Sequence, residues 1–252
     1  MRNILIPISL FSLLFLGEVF SASKRSAFIG ELHYKTVFNK CPSKVGGKLT
    51  LILMKEFEKN KSLKDVKEKI VTEKLDQKYF LSDYKITFDP LLNRIKFDFQ
   101  CPDALMKVQI YKKNGDEFYT AILVDNGDLV DPTYEVLLRG EKKLKGKLPE
   151  LAVPVTVLDS KGHLEITKLV ANMTPDFRKK ISEVIINDNK ELTIILSLNK
   201  RAASVFMGKD YWSEKVEKLV KVITYLKKKK TIPAIINLTN SKKIVVKFSD
   251  TL

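Results

Sequence analysis

The strongest constraint on what this chain can fold into is that its hydrophobic period changes repeatedly along its length. Arg94 to Phe99 and Leu105 to Tyr111 alternate apolar and polar residues, the signature of half-buried strands. Trp212 to Lys228 follows a helical period instead, with Val216, Leu219, Val220, Ile223 and Leu226 on one face. Both periods recur within single stretches of chain, which predicts an α+β fold: a small module followed by a mixed-sheet domain that carries one long packed helix.

In the first half, Phe28 to Phe38 reads as extended, and Lys48 to Met54, after Gly46-Gly47, reads as a strand. Ser62 to Leu75 is an amphipathic helix with Leu63, Val66, Ile70 and Val71 on one face, and Ser62 with Asp65 resembles a capping box. Tyr84 to Phe88 and Arg94 to Phe99 flank Pro90-Leu91-Leu92-Asn93 as a hairpin, and Leu105 to Tyr111 is a further strand ending at Asn114-Gly115. In the second half, Thr120 to Val124 and Leu129-Val130 are strands around Asn126-Gly127, and Gly146 to Leu151 is a loop into a strand at Pro154 to Leu158. Leu164 to Met173 and Phe177 to Ile181 have helical character. Ile181 to Ile186, Leu192 to Leu196 and Ala202 to Met207 are strands, the first two joined by a turn at Asn187 to Lys190. Lys227 to Lys230 sit at the negative end of the long helix, and Ala234 to Leu238 and Ile244 to Phe248 close the chain as strands. The boundary between the modules is expected between Tyr111 and Tyr119, giving residues 24–115 and 116–252.

Residues 1–23 open with one Arg and continue from Ile4 to Gly17 as a mostly apolar run, followed by Ser21-Ala22-Ser23. That pattern matches a cleaved export signal. A short membrane anchor and a buried core helix are the other readings of the run, which Glu18 closes before the roughly 20 apolar residues of a spanning helix. Either of the first two readings takes the chain from Lys24 onward out of the cytoplasm, into the cell envelope. In that compartment Cys41 and Cys101 can form a disulfide, or stay as two buried thiols; each precedes a proline.

The chain has 45 Lys and Arg against 30 Asp and Glu, a net charge of +15. These lysines are spread over helix faces and strand edges without an aromatic-lined groove or a reading motif, so no nucleic-acid partner is expected. No phosphate-binding glycine loop, dinucleotide fingerprint, zinc-protease helix or serine-elbow motif occurs. His33 and His163 read as solvated residues, and no catalytic, metal or cofactor-binding set emerges; the expectation is a protein that is not an enzyme.

The second half resembles the periplasmic β-domain of the FtsQ/DivIB family of bacterial cell-division proteins. The resemblance rests on Leu123-Val124-Asp125-Asn126-Gly127-Asp128-Leu129-Val130, then Leu148-Pro149-Glu150-Leu151, Ile181 to Val184, Leu192 to Leu196 and Val205-Phe206-Met207-Gly208. A helix with an early lysine near Lys215 and the final strands Ile235 to Leu238 and Ile244 to Phe248 follow in the family's order. Pro102 to Val108 is similar to the end of the family's POTRA module, although Tyr111-Lys112-Lys113-Asn114 departs from the Glu-x-x-Pro that commonly follows there. The resemblance implies a division scaffold in the envelope, attached through its N-terminal segment or released after signal cleavage, that binds FtsB/FtsL-like proteins with its C-terminal part. The residues expected to meet that partner are Ile244, Val246 and Phe248, with Lys243 and Lys247 giving charge and Tyr211 and Trp212 as aromatic anchors. Core packing is the competing reading for these apolar residues. A basic envelope protein that binds anionic surfaces is the alternative function.

Overall fold

The computed structural model describes residues 31–112, 117–158, 162–240 and 242–248. The 1–23 segment and the Asn114-Gly115 turn lie outside the described residues. In chain order, β1 (His33–Val37) leads into α1 (Ser43–Asn60), α2 (Leu63–Thr72), α3 (Leu75–Lys78), β2 (Asp83–Asp89) and β3 (Arg94–Gln100). Then come β4 (Ala104–Tyr111), β5 (Phe118–Val124), β6 (Leu129–Val130), α4 (Thr133–Gly140), β7 (Glu150–Pro154), α5 (Gly162–Asn172) and α6 (Pro175–Arg178). The chain continues through β8 (Ile181–Ile186), β9 (Leu192–Leu198), β10 (Arg201–Gly208), α7 (Trp212–Lys228), β11 (Pro233–Asn237) and β12 (Val245–Phe248). The fold is α+β. One sheet has the order β1-β3-β2, and a second, mixed sheet has the order β12-β11-β10-β9-β8-β7-β4-β5-β6.

In the first module β1 runs parallel to β3, while β2 and β3 form the expected antiparallel hairpin. Helices α1 and α2 cover this sheet: Leu49, Leu53, Phe57, Val66 and Ile70 pack with Ile95, Phe97 and Phe99 of β3. Lys48 to Met54, expected as a strand, lies inside α1. Val45, Leu49, Leu53 and Phe57 are buried at four-residue spacing, which is a helical stripe. The apolar Leu51 beside them hides that spacing in the sequence, and in the structure it faces solvent. Gly46 is required here, because a Cβ at this position would collide with the ring of Phe38, which lies against the helix. The Ser62 cap forms as expected, with Oγ accepting from Asp65 N at 3.3 Å. Val71, however, turns outward, because Val66 and Ile70 fix the buried line of α2 one residue away from it.

Several other boundaries differ from expectation. β4 pairs with β5 and β7, so the change of sheet falls at Cys101 to Asp103 rather than between Tyr111 and Tyr119. The strand expected at Pro154 to Leu158 does not form there: β7 covers Glu150–Pro154, within and just after the stretch expected as a loop, and the chain turns from Val155, where Val157 N donates back to the Pro154 carbonyl. Helix α6 stops at Arg178, and Ile181 begins β8. Helix α4, unforeseen, buries Tyr134 and Leu138. In α7 Val216, Leu219, Ile223 and Leu226 are buried as expected, whereas Val220 lies at the exposed rim of the stripe.

The two modules are tied at one junction. Cys41 and Cys101 form a disulfide with Cα atoms 4.8 Å apart and a separation of 60 residues. The Tyr134 hydroxyl donates to the Pro102 carbonyl at 2.6 Å, and Lys40 pairs with Asp103 at 2.6 Å. Helix α1 starts after Pro42 with no side-chain cap and no acidic residue in its first turn. Glu141, at the end of α4, fills that role: its carboxylate accepts from Ser43 N at 2.7 Å and Lys44 N at 3.1 Å. Burial opposes charge on Glu141, but these donors and the nearby Lys143 outweigh it and hold its carboxyl below the ordinary range.

Two predictions follow from the junction. The paired Cys41→Ser, Cys101→Ser variant should lose about 4 kcal/mol of stability in urea unfolding, the loop-closure value for a loop of this size. Because the folded-state pKa of Glu141 is depressed, its stabilisation is present above the unfolded carboxylate value of about 4.3 and fades as pH falls through the folded value. Glu141→Gln should therefore be less stable than the parent at neutral pH, and the gap should close on acidification, as read from urea midpoints across the acid range.

Candidate partner-binding edge

Among the described residues, β12 is the last strand of the nine-stranded sheet and pairs on one side only, antiparallel to β11. Its register sets Val246 opposite Ile236, Val245 opposite Asn237 and Lys247 opposite Ile235. Ile236 is fully buried in the core that Val216, Leu219 and Ile223 of α7 complete. Directly opposed residues share a face, so Val246 points to the α7 side of the sheet with Phe248 following by alternation, while Ile244 lies just before the strand. Val245 and Lys247 point to the opposite face.

The helical cover does not extend over this last strand. Ile244 is 38% exposed and Phe248 is 50% exposed, while Val246 is half-buried. The core-packing reading therefore does not describe Ile244 or Phe248. Lys243 and Lys247 are exposed and make no ion pair among the described residues. Among the described residues the outer edge of β12 has no strand beside it, and Val246 and Phe248 on the strand, Ile244 just before it, and Lys243 and Lys247 lie there together. A sheet edge of this kind can take an extended strand, with main-chain hydrogen bonds giving affinity and alternate side chains giving specificity.

The two aromatic candidates separate. Tyr211 caps the start of α7 in a left-handed conformation (φ 51°) and is 64% exposed. Trp212 is half-buried against the core, and its indole N–H donates to the Gly208 carbonyl at 2.8 Å, so it fastens α7 to β10. Gly208 has φ +73° and lies close to Thr239, just beyond β11. The β10–α7 turn therefore sits at the end of the sheet where β12 begins.

One important residue in this turn was visible in the sequence only as an early lysine of the helix. Lys215 is 2% exposed, and its Nζ donates to the Met207 carbonyl at 2.8 Å and to Asp210 Oδ1 at 2.7 Å. It satisfies the end of β10 and orients the turn that carries Tyr211. No sequence periodicity separates a buried lysine from its solvated neighbours, because its stem lies on the apolar stripe and only its contacts differ.

His33 is exposed at the start of β1, and the side chain of His163 lies outside the described residues. Among the described residues, no group of three or more His, Cys, Asp or Glu side chains is placed to hold a metal ion. No helix among them is long and apolar enough to cross a membrane. No protein-family model and no curated protein matches this chain.

Lys215→Met should be destabilised by about 2 kcal/mol in thermal or urea unfolding, since it leaves the Met207 carbonyl without its donor. Lys243→Met, at an exposed site, should leave the unfolding curve unchanged.

Proposed function

We propose that this protein is a non-enzymatic scaffold of the cell envelope, of the FtsQ/DivIB type, which recruits division proteins by accepting a partner strand at β12 to support septum formation. The observation that carries this reading is the free, partly apolar edge of β12 at the end of a large, well-packed sheet. The ordered series of motifs that resembles the family adds support, since Val205 to Gly208, the helix with its early lysine and the last two strands form one continuous unit around that edge. The partners it would recruit are FtsB/FtsL-like proteins, whose strand would meet Ile244, Val246 and Phe248 and whose acidic groups would meet Lys243 and Lys247.

A fluorescent fusion of the full chain should gather at midcell during constriction. Phe248→Glu should abolish that recruitment without changing the unfolding curve, since Phe248 is half exposed. Diffuse envelope fluorescence of the parent fusion throughout the cell cycle would overturn the reading.

A further inference from the structure

We propose that the cavity at the junction of the two modules binds a small organic phosphate, whose anionic head is held by Arg178, Lys147 and Lys179 and whose apolar body lies on the leucines of the same wall. The inference concerns the junction and does not rest on the function proposed for β12.

The cavity has a volume of about 550 Å³, within the range of small-molecule sites. Its walls come from the turn after β1, the start of β4, the segment from α4 to β7, and α6. Five cationic side chains line it, Lys40, Lys143, Lys147, Arg178 and Lys179, against the single carboxylate of Asp103. Two of the five are already committed. Lys40 pairs with Asp103 at 2.6 Å, and Lys143 donates to the Cys41 carbonyl and lies 3.6 Å from Glu141.

The other three are open to a ligand. Lys147 meets Glu150 at 3.2 Å and Lys179 meets Asp176 at 3.8 Å, but both lysines are largely exposed, and surface pairs of this kind are worth little. Arg178 is half-buried and has no ion pair or side-chain hydrogen bond among the described residues. A partly desolvated guanidinium with its donors unused is the feature that points to an anion, because its planar fork matches a phosphate group with two parallel hydrogen bonds. A cleft lined by one sign of charge also focuses its field and draws in the opposite ion. A phosphomonoester carries roughly 1.5 to 2 negative charges at neutral pH, enough to answer several cations together. Leu105, Leu138, Leu144 and Leu148 line the same cavity, so a ligand gains further from an apolar body attached to its phosphate.

Calorimetric titration of the full chain with phenyl phosphate tests the site. It should bind once per chain and more tightly than inorganic phosphate, which lacks the apolar body. Arg178→Gln should weaken binding about tenfold, the scale of one lost charge-assisted hydrogen bond, and Arg178→Lys should recover only part of that loss. Lys179→Gln, at an exposed position, should weaken it about threefold with an unchanged unfolding curve. The paired Lys227→Gln, Lys230→Gln variant removes as much charge at the exposed end of α7 and should leave the affinity unchanged. An equal loss in that pair would mean that the net charge of +15 attracts anions without a site, and would overturn the proposal. Absence of phenyl phosphate binding at millimolar concentration would overturn it too. Vesicles containing phosphatidic acid separate the sources of the phosphate. Retention on them that Arg178→Gln weakens in parallel identifies a lipid headgroup, and phenyl phosphate binding without such retention identifies a soluble compound.

Discussion

The junction around the Cys41–Cys101 disulfide is the constraint on which the arrangement of the two sheets depends. It brings together the start of α1, the end of β3 and the helix α4 from a distant part of the chain. Three kinds of interaction meet there: a covalent bridge, the Tyr134 hydrogen bond to the Pro102 carbonyl and the Glu141 carboxylate at the N-terminus of α1. Each compensates for something the local sequence lacks. Pro42 offers α1 no side-chain cap, and the first turn of α1 holds no acid. The negative end of that interaction therefore comes from a residue almost one hundred positions away. Ile122 and Val124 of β5 then pack with the first module's core, so the smaller sheet shares its apolar cluster with one end of the larger one.

At the other end of the large sheet the cover thins out. Helix α7 buries β10 and reaches Ile236 of β11, but β12 lies beyond its footprint. The same strand is thus held by backbone pairing on one side and left with an unpaired edge and a partly bare apolar face on the other. Natural sheets usually blunt such an edge with lysines, and Lys243 and Lys247 fit that practice.

Much of the fold was legible in the sequence. The hairpin of β2 and β3, the strands β8 to β10, helix α7 and the two closing strands follow from period-two alternation, turn residues and one clear helical stripe. The errors have specific causes. Leu49 to Met54 is a nearly unbroken apolar run, and such a run cannot by itself distinguish a buried helix from a strand. The alternation of Leu105 to Tyr111 marks a strand but not which sheet it joins, and β4 pairs with β5 and β7 of the large sheet. Of the candidate edge, Ile244, Val246 and Phe248 were visible as an alternating row. Their exposure was not, because it depends on how far α7 reaches. Trp212 was legible as an aromatic at the start of the long helix, but its hydrogen bond to the Gly208 carbonyl was not.

By itself, the sequence determined the class of the fold, the order of most elements and the alternation that gives β12 an apolar row, because these depend on residues a few positions apart. Only the tertiary structure decided that β4 belongs to the large sheet, that Cys41 meets Cys101, that Glu141 caps α1 and that Lys215 is buried beneath its turn. It also decided that, among the described residues, β12 is the last strand of the sheet. These outcomes depend on which distant surfaces meet, and no local period or turn signal encodes the pairing of groups that only the folded chain brings within a few ångströms.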